Sequence, residues 1–232
     1  MDVDCYDSLA GQVALVTGAT RGIGATVAEE LTDLEATVYA GARDPDDVTA
    51  DEQRPVRLDV TERSQIAAAI DRIAEETGRL DVVVNNAGVA GPDEPLHAMS
   101  VADFGGTMAV NARGPVLVTK FALPLLLDGD GGRVVNVSSG MGTLTDGMSG
   151  GSPAYRISKA SVNGLTAYLH GEYGNEGLLA NAACPGWVRT DMGGPGAPRS
   201  PAEGADTPVW LARFRPGSPG GRIWRDRRPI EW

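Results

Sequence analysis

The chain is poor in lysine, cysteine and histidine, with two of each among its 232 residues. Two cysteines, Cys5 and Cys184, without a cluster of cysteine and histidine favour a reduced, cytoplasmic protein over a disulfide framework. They also leave no candidate metal site. Lysine and arginine total 20, so 18 of the basic residues are arginine, and the two lysines are Lys120 and Lys159.

Positive charge is scarce as well, because 31 acidic residues against 20 basic ones give a net charge of −11. Nucleic acid and anionic membrane surfaces both need a basic face on the protein, so neither is an expected partner. An acidic, lysine-poor chain is either an ordinary acidic cytosolic enzyme or one adapted to high salt. Arginine in place of lysine also follows from a GC-rich genome, so composition leaves both interpretations open.

Long apolar runs are missing too. No stretch of about 18 apolar residues is found, which predicts that nothing spans a membrane. The first residues, MDVDCYDSLAGQ, lack the basic and apolar segments of a secretory signal. Hydrophobic residues make up 42% and charged residues 22%, which is typical of a folded chain. The length suits a single domain, 1–232.

Short apolar runs alternate with longer amphipathic stretches over the whole length. Short apolar runs predict strands of a parallel sheet at 12–18, 36–42, 56–60, 80–88, 132–139, 178–186 and 220–226, and the first of them is rich in β-branched residues. Apolar residues at helical spacing predict helices at 23–35, 62–78, 101–129 and 153–174. Residues 193–204, rich in glycine and proline, predict a loop. The alternation predicts an α/β fold: one Rossmann-type domain whose doubly wound parallel sheet of about seven strands carries helices on both faces.

A glycine-rich segment, TGATRGIG at 17–24, joins the first predicted strand to the first helix. Gly18, Gly22 and Gly24 let the backbone turn sharply and approach a pyrophosphate, which the N-terminus of the following helix attracts. Three glycines alone also fit a plain tight turn. Their place after the first strand of an alternating chain favours a dinucleotide site.

The spacing of this segment is TGxxxGxG rather than GxGxxG, and with the motifs that follow it the chain resembles the short-chain dehydrogenase/reductase family. Those motifs are Asp59 after the third strand, NNAG at 85–88, Asn111 in the long helix, NVSS at 136–139, YRISK at 155–159 and PGWVRT at 185–190. The resemblance runs from about Val13 to the C-terminus. It places Asp59 and Val60 at the adenine and Thr190 at the nicotinamide. The full set of residues implied to bind the cofactor is Gly18, Thr20, Arg21, Gly22, Ile23, Gly24, Arg43, Asp59, Val60, Asn86, Ala87, Gly88, Tyr155, Lys159, Pro185, Gly186, Val188 and Thr190.

The end of the second predicted strand, VYAGARD, bears on the form of the cofactor. NAD sites usually place a carboxylate there to bind the adenosine ribose, whereas this chain has Ala42 followed by Arg43. Arg21, in the glycine loop, supplies a second guanidinium, and two arginines suit a 2′-phosphate. Arg43 could equally be a solvated loop residue, partly neutralised by Asp44. NADP(H) is therefore the preferred cofactor, with NAD(H) as the alternative.

Tyr155 and Lys159 stand four residues apart on one predicted helix, so they share a face and can serve one site. A phenol with an ordinary pKa of about 10 transfers its proton reluctantly at neutral pH, and a nearby ammonium lowers that pKa. The resemblance implies that Ser139 binds the substrate oxygen, with Ser138 as the alternative. It also implies that Asn111 holds a water that links Lys159 to solvent.

By resemblance, a substrate lid follows the sixth strand, at about 191–208, and this segment is short and rich in glycine and proline. The candidate pocket residues, each of which could equally belong to the core, are Met141, Met148, Trp187 and Met192. A short lid predicts an open pocket and loose substrate choice. With GARD at 41–44 and the ending RIWRDRRPIEW, it makes the chain most similar to the NADPH-dependent carbonyl reductases of the family, which reduce aldehydes, ketones and quinones.

The implied activity is hydride transfer between NADP(H) and a small-molecule carbonyl compound or secondary alcohol. The alternatives are an NAD(H)-dependent alcohol dehydrogenase of the same family, a sugar-nucleotide epimerase or dehydratase, and a non-catalytic NADP(H)-binding sensor or scaffold. The epimerase group usually has a longer chain and a TGxxGxxG loop, and a sensor would lack Ser139, Tyr155 or Lys159. The segment from Ser139 to Tyr155 has no large inserted helix. By resemblance, such an insertion would block the helix pairing by which many members form dimers and tetramers, so a homodimer or homotetramer is expected.

Overall fold

The computed structural model describes residues 3–145 and 147–232, and their strands form one sheet. The eight strands are β1 (Val13–Thr17), β2 (Thr37–Ala42), β3 (Arg54–Arg57), β4 (Val82–Asn85), β5 (Arg133–Val137), β6 (Leu179–Ala183), β7 (Ile223–Arg225) and β8 (Arg228–Ile230). Their order across the sheet is β3-β2-β1-β4-β5-β6-β7-β8. Every neighbouring pair is parallel except β7 and β8, which are antiparallel.

Six α-helices connect these strands in the described part of the chain. They are α1 (Gly22–Asp33), α2 (Arg63–Thr77), α3 (Val101–Met108), α4 (Gly114–Asp128), α5 (Pro153–Tyr173) and α6 (Pro201–Ala212). A π-helical turn over Ala109–Arg113 joins α3 to α4 without a break. The glycines and Pro115, which the sequence suggests as interruptions, do not end the helix. Pro115 comes just after the π-helical turn, where the regular α-helical hydrogen-bond pattern is already interrupted.

The local sequence explains why the elements begin and end where they do. In α2, Ile66, Ile70 and Ile73 recur at helical spacing, and all three are buried. The helix ends at Gly78, whose φ of +68° is open to glycine, and whose N–H donates to the carbonyl of Ala74.

Helices cover both faces of the sheet, as predicted. On one face α1 and α6 pack with the sheet around Val27, Leu31 and Trp210. On the other face α2, α4 and α5 bury a second cluster that includes Ile66, Leu126 and Leu169. The core strands are buried from both sides, which is why they are nearly continuous apolar runs in the sequence.

The strand order reverses between β1 and β4. The chain builds β1, β2 and β3 outward in one direction, then returns to the other side of β1 with β4, β5 and β6. In doubly wound sheets a crevice opens at such a reversal, outside the carboxyl ends of the strands, and ligands bind there. The glycine loop follows β1 and the NNAG segment follows β4, so both lie at this edge.

Two elements differ from the sequence-based expectation. The sheet has an eighth strand, because the chain turns back after β7 at Asp226 and Arg227, both with positive φ. The loop predicted at 193–204 ends early, because α6 begins at Pro201. Ser200 accepts a hydrogen bond from the N–H of Glu203, whose carboxylate in turn accepts one from the N–H of Ser200, and this capping box starts the helix.

By length and composition alone, the continuous helix over 101–128 is long and apolar enough to cross a membrane. The sequence predicts no membrane span, because it has no run of about 18 apolar residues. A core helix of a soluble protein passes the same test. Val118, Ala122 and Leu126 of this helix are buried in the core cluster shared with α2.

Candidate active site

The glycine loop is tied to the NNAG segment across the crevice. The Asn86 side-chain amide donates to the carbonyls of Thr17 and Gly18, at 2.9 and 3.1 Å. In return, the Thr17 hydroxyl accepts hydrogen bonds from the N–H groups of Asn86 and Ala87. The backbone positions predicted to line the cofactor cleft are thus fixed to one another at the carboxyl ends of β1 and β4.

Glycine is required in this loop by the space available. A Cβ on Gly24 would lie 2.1 Å from the Gly18 carbonyl oxygen, and Gly18 and Gly22 have φ values of +66° and +55°. The helix that follows begins at Gly22, and neither a capping side chain nor an acidic residue from the described chain occupies its first turn. Its leading N–H groups therefore remain available to an anion, as a pyrophosphate site requires.

Three of the charged residues predicted to bind the cofactor lie at the expected adenosine end of the cleft. Arg43 is exposed just after β2, and its side chain forms no ion pair with the residues that the structure describes. Arg21 pairs with Asp191, at 2.8 Å between Nε and Oδ2. The Asp59 carboxylate accepts hydrogen bonds from the N–H and the hydroxyl of Thr61. Val60, next to it, is buried against Gly114.

The nicotinamide end is built by the PGWVRT segment after β6. Gly186 adopts a φ of +79° and rests on the side chain of Arg199. Thr190 contacts the glycine loop, since a Cβ on Gly22 would lie 2.9 Å from its Cγ2, and its Oγ1 accepts from the N–H of Gly193. Val188 is buried. This segment therefore contacts the glycine loop at the carboxyl edge of the sheet.

Lys159 is the most unusual ionisable group in the site. Its side chain is 5% exposed, and Nζ donates to the carbonyl of Val137 at 2.8 Å. Burial lowers the pKa of its ammonium from 10.5 to about 8. Nζ also lies 5.5 Å from the centre of the Tyr155 ring, one helical turn away on α5.

The Tyr155 phenol lies beside Ser139. Burial raises the pKa of Tyr155, and the neighbouring Ser139 side chain acts in the opposite direction. The Ser139 oxygen also accepts from the N–H of Met141 at 3.1 Å. Ser138, the alternative in the prediction, is buried, and its hydroxyl donates to Asn163 away from the phenol. The structure therefore brings Ser139, and not Ser138, to Tyr155.

Asn111 lies in the π-helical turn and is buried. Its amide donates to the carbonyl of Val89 and to the hydroxyl of Ser158, while its oxygen accepts from the N–H of Val89. Gly88 fits between Asn111 and Lys159, since an added Cβ would lie 3.4 and 3.8 Å from their Oδ1 and Nζ atoms. Both amide protons are committed to the protein, so the side chain anchors the segment after β4, and a water held by Asn111 would use its backbone.

The four candidate pocket residues all lie outside the buried core. Trp187 is 59% exposed and Met192 48% exposed, while Met141 and Met148 are half-buried. The predicted lid, 191–208, divides in two: its first ten residues are irregular, and the rest belongs to α6, which packs against α1. The segment that can cover a substrate is thus shorter than the sequence suggests.

Three residues that position the site carry no motif that sequence reasoning could use. Asp93 accepts hydrogen bonds from the N–H and hydroxyl of Ser152, just before α5. Arg199 supports Gly186 and pairs with Asp226. The carbonyl of Trp232 accepts three hydrogen bonds from Leu144 and Thr145, in the loop between Ser139 and α5.

Known proteins resemble this chain in sequence and fold. The sequence profile described as short chain dehydrogenase matches residues 12–199. The chain is 37% identical over 194 residues to cis-4-hydroxycyclohexanecarboxylate dehydrogenase of Sinomonas cyclohexanicum, covering 80% of this chain and 77% of that protein. It is 34% identical to carbonyl reductase (NADPH) 1 of Bos taurus over an alignment of 277 residues, covering 95% and 98%. The solved structure of Thermoplasma acidophilum aldohexose dehydrogenase has a TM-score of 0.84 and 27% identity, covering 98% of this chain and 99% of that one.

The profile match covers most of the chain, and two relatives above 30% identity are oxidoreductases by name. The alignment with the bovine carbonyl reductase is longer than this chain, so that relative carries residues without a counterpart here. The family resemblance stated from the motifs is confirmed. The chain belongs to the short chain dehydrogenase family of oxidoreductases.

Proposed function

We propose that this protein is an NADP(H)-dependent reductase of small ketones and aldehydes, or in reverse a dehydrogenase of secondary alcohols. The observation that carries the proposal is the buried Lys159 ammonium close to the ring of Tyr155, whose phenol lies beside the Ser139 side chain. A relative whose name specifies both carbonyl reduction and NADPH supports it.

The residues of the cleft suit a nicotinamide dinucleotide. The uncapped N-terminus of α1 and the glycine loop would hold the pyrophosphate, and Asp59 and Val60 would contact the adenine. Arg21 and Arg43 would receive a 2′-phosphate, because β2 ends at Ala42 and Arg43, rather than a carboxylate, follows it directly. Asn86, Ala87 and Gly88 would line the cofactor cleft beside the glycine loop. The segment that would hold the nicotinamide contains Pro185, Gly186, Val188 and Thr190.

The cofactor, when bound, supplies the hydride that reduces the carbonyl carbon. Tyr155 then gives its phenolic proton to the carbonyl oxygen, so that carbon gains hydride and oxygen gains a proton, which balances the reduction to an alcohol. Because the Ser139 oxygen accepts from the Met141 N–H, its own proton is free to hydrogen-bond the same substrate oxygen. Lys159, charged below its pKa of about 8, stabilises the phenolate that remains.

The test of this mechanism is the variant Tyr155→Phe. We expect reduction to fall at least about 100-fold, because the phenylalanine has no proton to give, while NADPH binding is retained. Tyr168→Phe is the matched control, since Tyr168 lies on the same helix and is 58% exposed. Turnover in Tyr155→Phe close to that of the control would contradict the mechanism.

The substrate class is best found with a panel of ketones, aldehydes, quinones and secondary alcohols. Each compound is assayed with both cofactors, at low and at molar salt. We expect the highest kcat/KM with NADPH and a carbonyl compound. Turnover restricted to NADH would contradict the cofactor preference, and NADPH binding without any turnover across the panel would favour the sensor alternative.

We further propose that the protein works in the cytoplasm as a homodimer or homotetramer. Exposed apolar side chains on two neighbouring helices, Val116 on α4 and Ile157 on α5, support pairing between copies. The expected result of light scattering after size exclusion is a mass of two or four chains. A single-chain mass at both low and molar salt would refute the assembly.

A further inference from the structure

Asp44, two residues after the end of β2, carries a negative charge that would repel the 2′-phosphate of NADP(H). Asp44 follows Arg43, and its Oδ1 accepts a hydrogen bond from the N–H of Asp46, which holds the carboxylate at the strand end. In this fold the end of the second strand reads the 2′ position of the adenosine ribose, and a carboxylate there favours a free hydroxyl. A 2′-phosphate would be repelled by Asp44 unless another group neutralised it.

Arg57 is placed to do this. It is the last residue of β3 and lies opposite Ala42, the last residue of β2, in the strand register. Its Nη1 donates to the carbonyl of Arg43 at 3.2 Å, and its Nη2 lies 4.0 Å from Oδ1 of Asp44. One guanidinium therefore contacts the backbone of the residue expected to bind phosphate and faces the neighbouring carboxylate.

We propose that Arg57 is a positioning residue that determines specificity for the 2′-phosphate, acting through Asp44 and the backbone of Arg43. The inference rests on the proposed use of NADP(H). With Arg57, the three side chains of this cluster carry one net positive charge, and without it they carry none. The contribution of Arg57 matters more because Arg21, the other candidate, is engaged by Asp191.

The first test replaces Arg57 by glutamine and measures kcat/KM with NADPH and with NADH. We expect the NADPH to NADH ratio to fall about tenfold, through a higher KM for NADPH with kcat little changed. The kcat/KM values with NADPH and with NADH are measured on the same preparation. An unfolded fraction therefore lowers both values equally and leaves their ratio unchanged. Arg54→Gln is the matched control, because Arg54 begins the same strand about 10 Å away and pairs with Glu76.

A second measurement does not depend on turnover. Calorimetric titration with adenosine 2′,5′-bisphosphate probes the ribose end alone, and we expect Arg57→Gln to weaken its binding about tenfold while binding of adenosine 5′-monophosphate is unchanged. Adding Asp44→Asn to the variant removes the charge that Arg57 neutralises, so the double variant is expected to recover most of the lost affinity.

The outcomes separate the two ideas. If the wild-type enzyme prefers NADPH and Arg57→Gln has the same NADPH to NADH ratio of kcat/KM, the role of Arg57 is overturned. The proposed function is then unaffected. Failure of Asp44→Asn to restore binding also overturns the role of Arg57, because Arg57 would then not act through Asp44. A wild-type enzyme that binds NADPH no better than NADH refutes the cofactor preference and Arg57's role together.

Discussion

Burial acts on Lys159 and Tyr155 in opposite directions. It lowers the pKa of the ammonium to about 8 and raises that of the phenol, because both charged forms lose water. Only a protonated phenol can deliver a proton, so its raised pKa suits reduction. The lysine remains mostly charged at pH 7, where it can stabilise the phenolate after transfer. The pair therefore favours reduction near neutral pH.

This pairing predicts the pH dependence. We expect kcat for carbonyl reduction to be constant near pH 7 and to fall as the pH rises through about 8, where Lys159 loses its proton. A pH profile measured at saturating NADPH and substrate checks it. A profile that stays flat up to pH 10 would mean that the charge of Lys159 has no part in the reaction.

A buried charge should also cost stability. We expect Lys159→Met to abolish turnover and to raise Tm by about 2–4 °C at pH 7, because the ammonium no longer has to be desolvated. This gain in Tm shrinks as the pH rises from about 8 toward 10.5. In that range the unfolded wild-type chain binds more protons than the folded protein, so the stability of the wild type increases with pH.

Lys120→Met is the control, because Lys120 is the other lysine of the chain and is exposed on α4. Thermal unfolding followed by circular dichroism measures the Tm of both variants and of the wild type at pH 7 and at pH 10. A lower Tm in Lys159→Met than in the control would show that the bond from Nζ to Val137 outweighs the desolvation of the charge.

At the scale of elements, sequence periodicity predicts the amphipathic helices, and it misses helices and strands that are very short or buried on all sides. The helices α2 and α5 agree with prediction to within about one residue at each end, because their buried residues recur at helical spacing. The strand β8 has three residues, too few for a pattern. Most of α6 is buried on several sides and carries Pro208, so it resembles the loop before it.

The start of α6 was nevertheless readable, since Ser200, Pro201 and Glu203 form a capping signature. In the site, Tyr155 and Lys159 share a helix face by their spacing, whereas Ser139 comes from the family resemblance, with Ser138 as the alternative. Arg57, Asp93 and Arg199 follow from neither, because their partners are distant in sequence and only the folded chain brings them together.

The capping box gives a prediction for stability. Ser200→Ala removes the acceptor for the N–H of Glu203 and should cost about 1 kcal/mol, which lowers Tm by about 2–4 °C. Ser161→Ala, on the exposed face of α5, is the control and should leave Tm within about 1 °C. Equal melting temperatures for the two variants would show that α6 is held by packing alone.

On the scale of the whole molecule, the excess of acidic side chains is the dominant surface property. Their mutual repulsion opposes the compact state, and salt screens it.

The order of strands in the sheet is also a property of the whole molecule. The pairing of β1 with β4 joins strands far apart in the chain, and no local sequence pattern specifies it.

The net charge predicts how stability responds to salt. We expect Tm to rise as NaCl increases from 0.1 to 2 M, with most of the rise below about 0.5 M, where the screening length shortens fastest. Scanning calorimetry over that range measures it. A Tm that falls with salt would mean that the surface ion pairs contribute more than the repulsion, as in an ordinary acidic enzyme.

Because Leu144 and Thr145 are hydrogen-bonded to the Trp232 carbonyl, we expect substrate reduction to be lost before nucleotide binding as the protein is denatured. The loop that these hydrogen bonds hold lies between Ser139 and α5 and depends on a hairpin of two three-residue strands at the sheet edge. Such edges open at lower free energy than a sheet centre. The glycine loop is anchored in β1 and β4 at that centre. Under mild denaturation, the enzyme would therefore stop reducing its substrate while it still held its nucleotide.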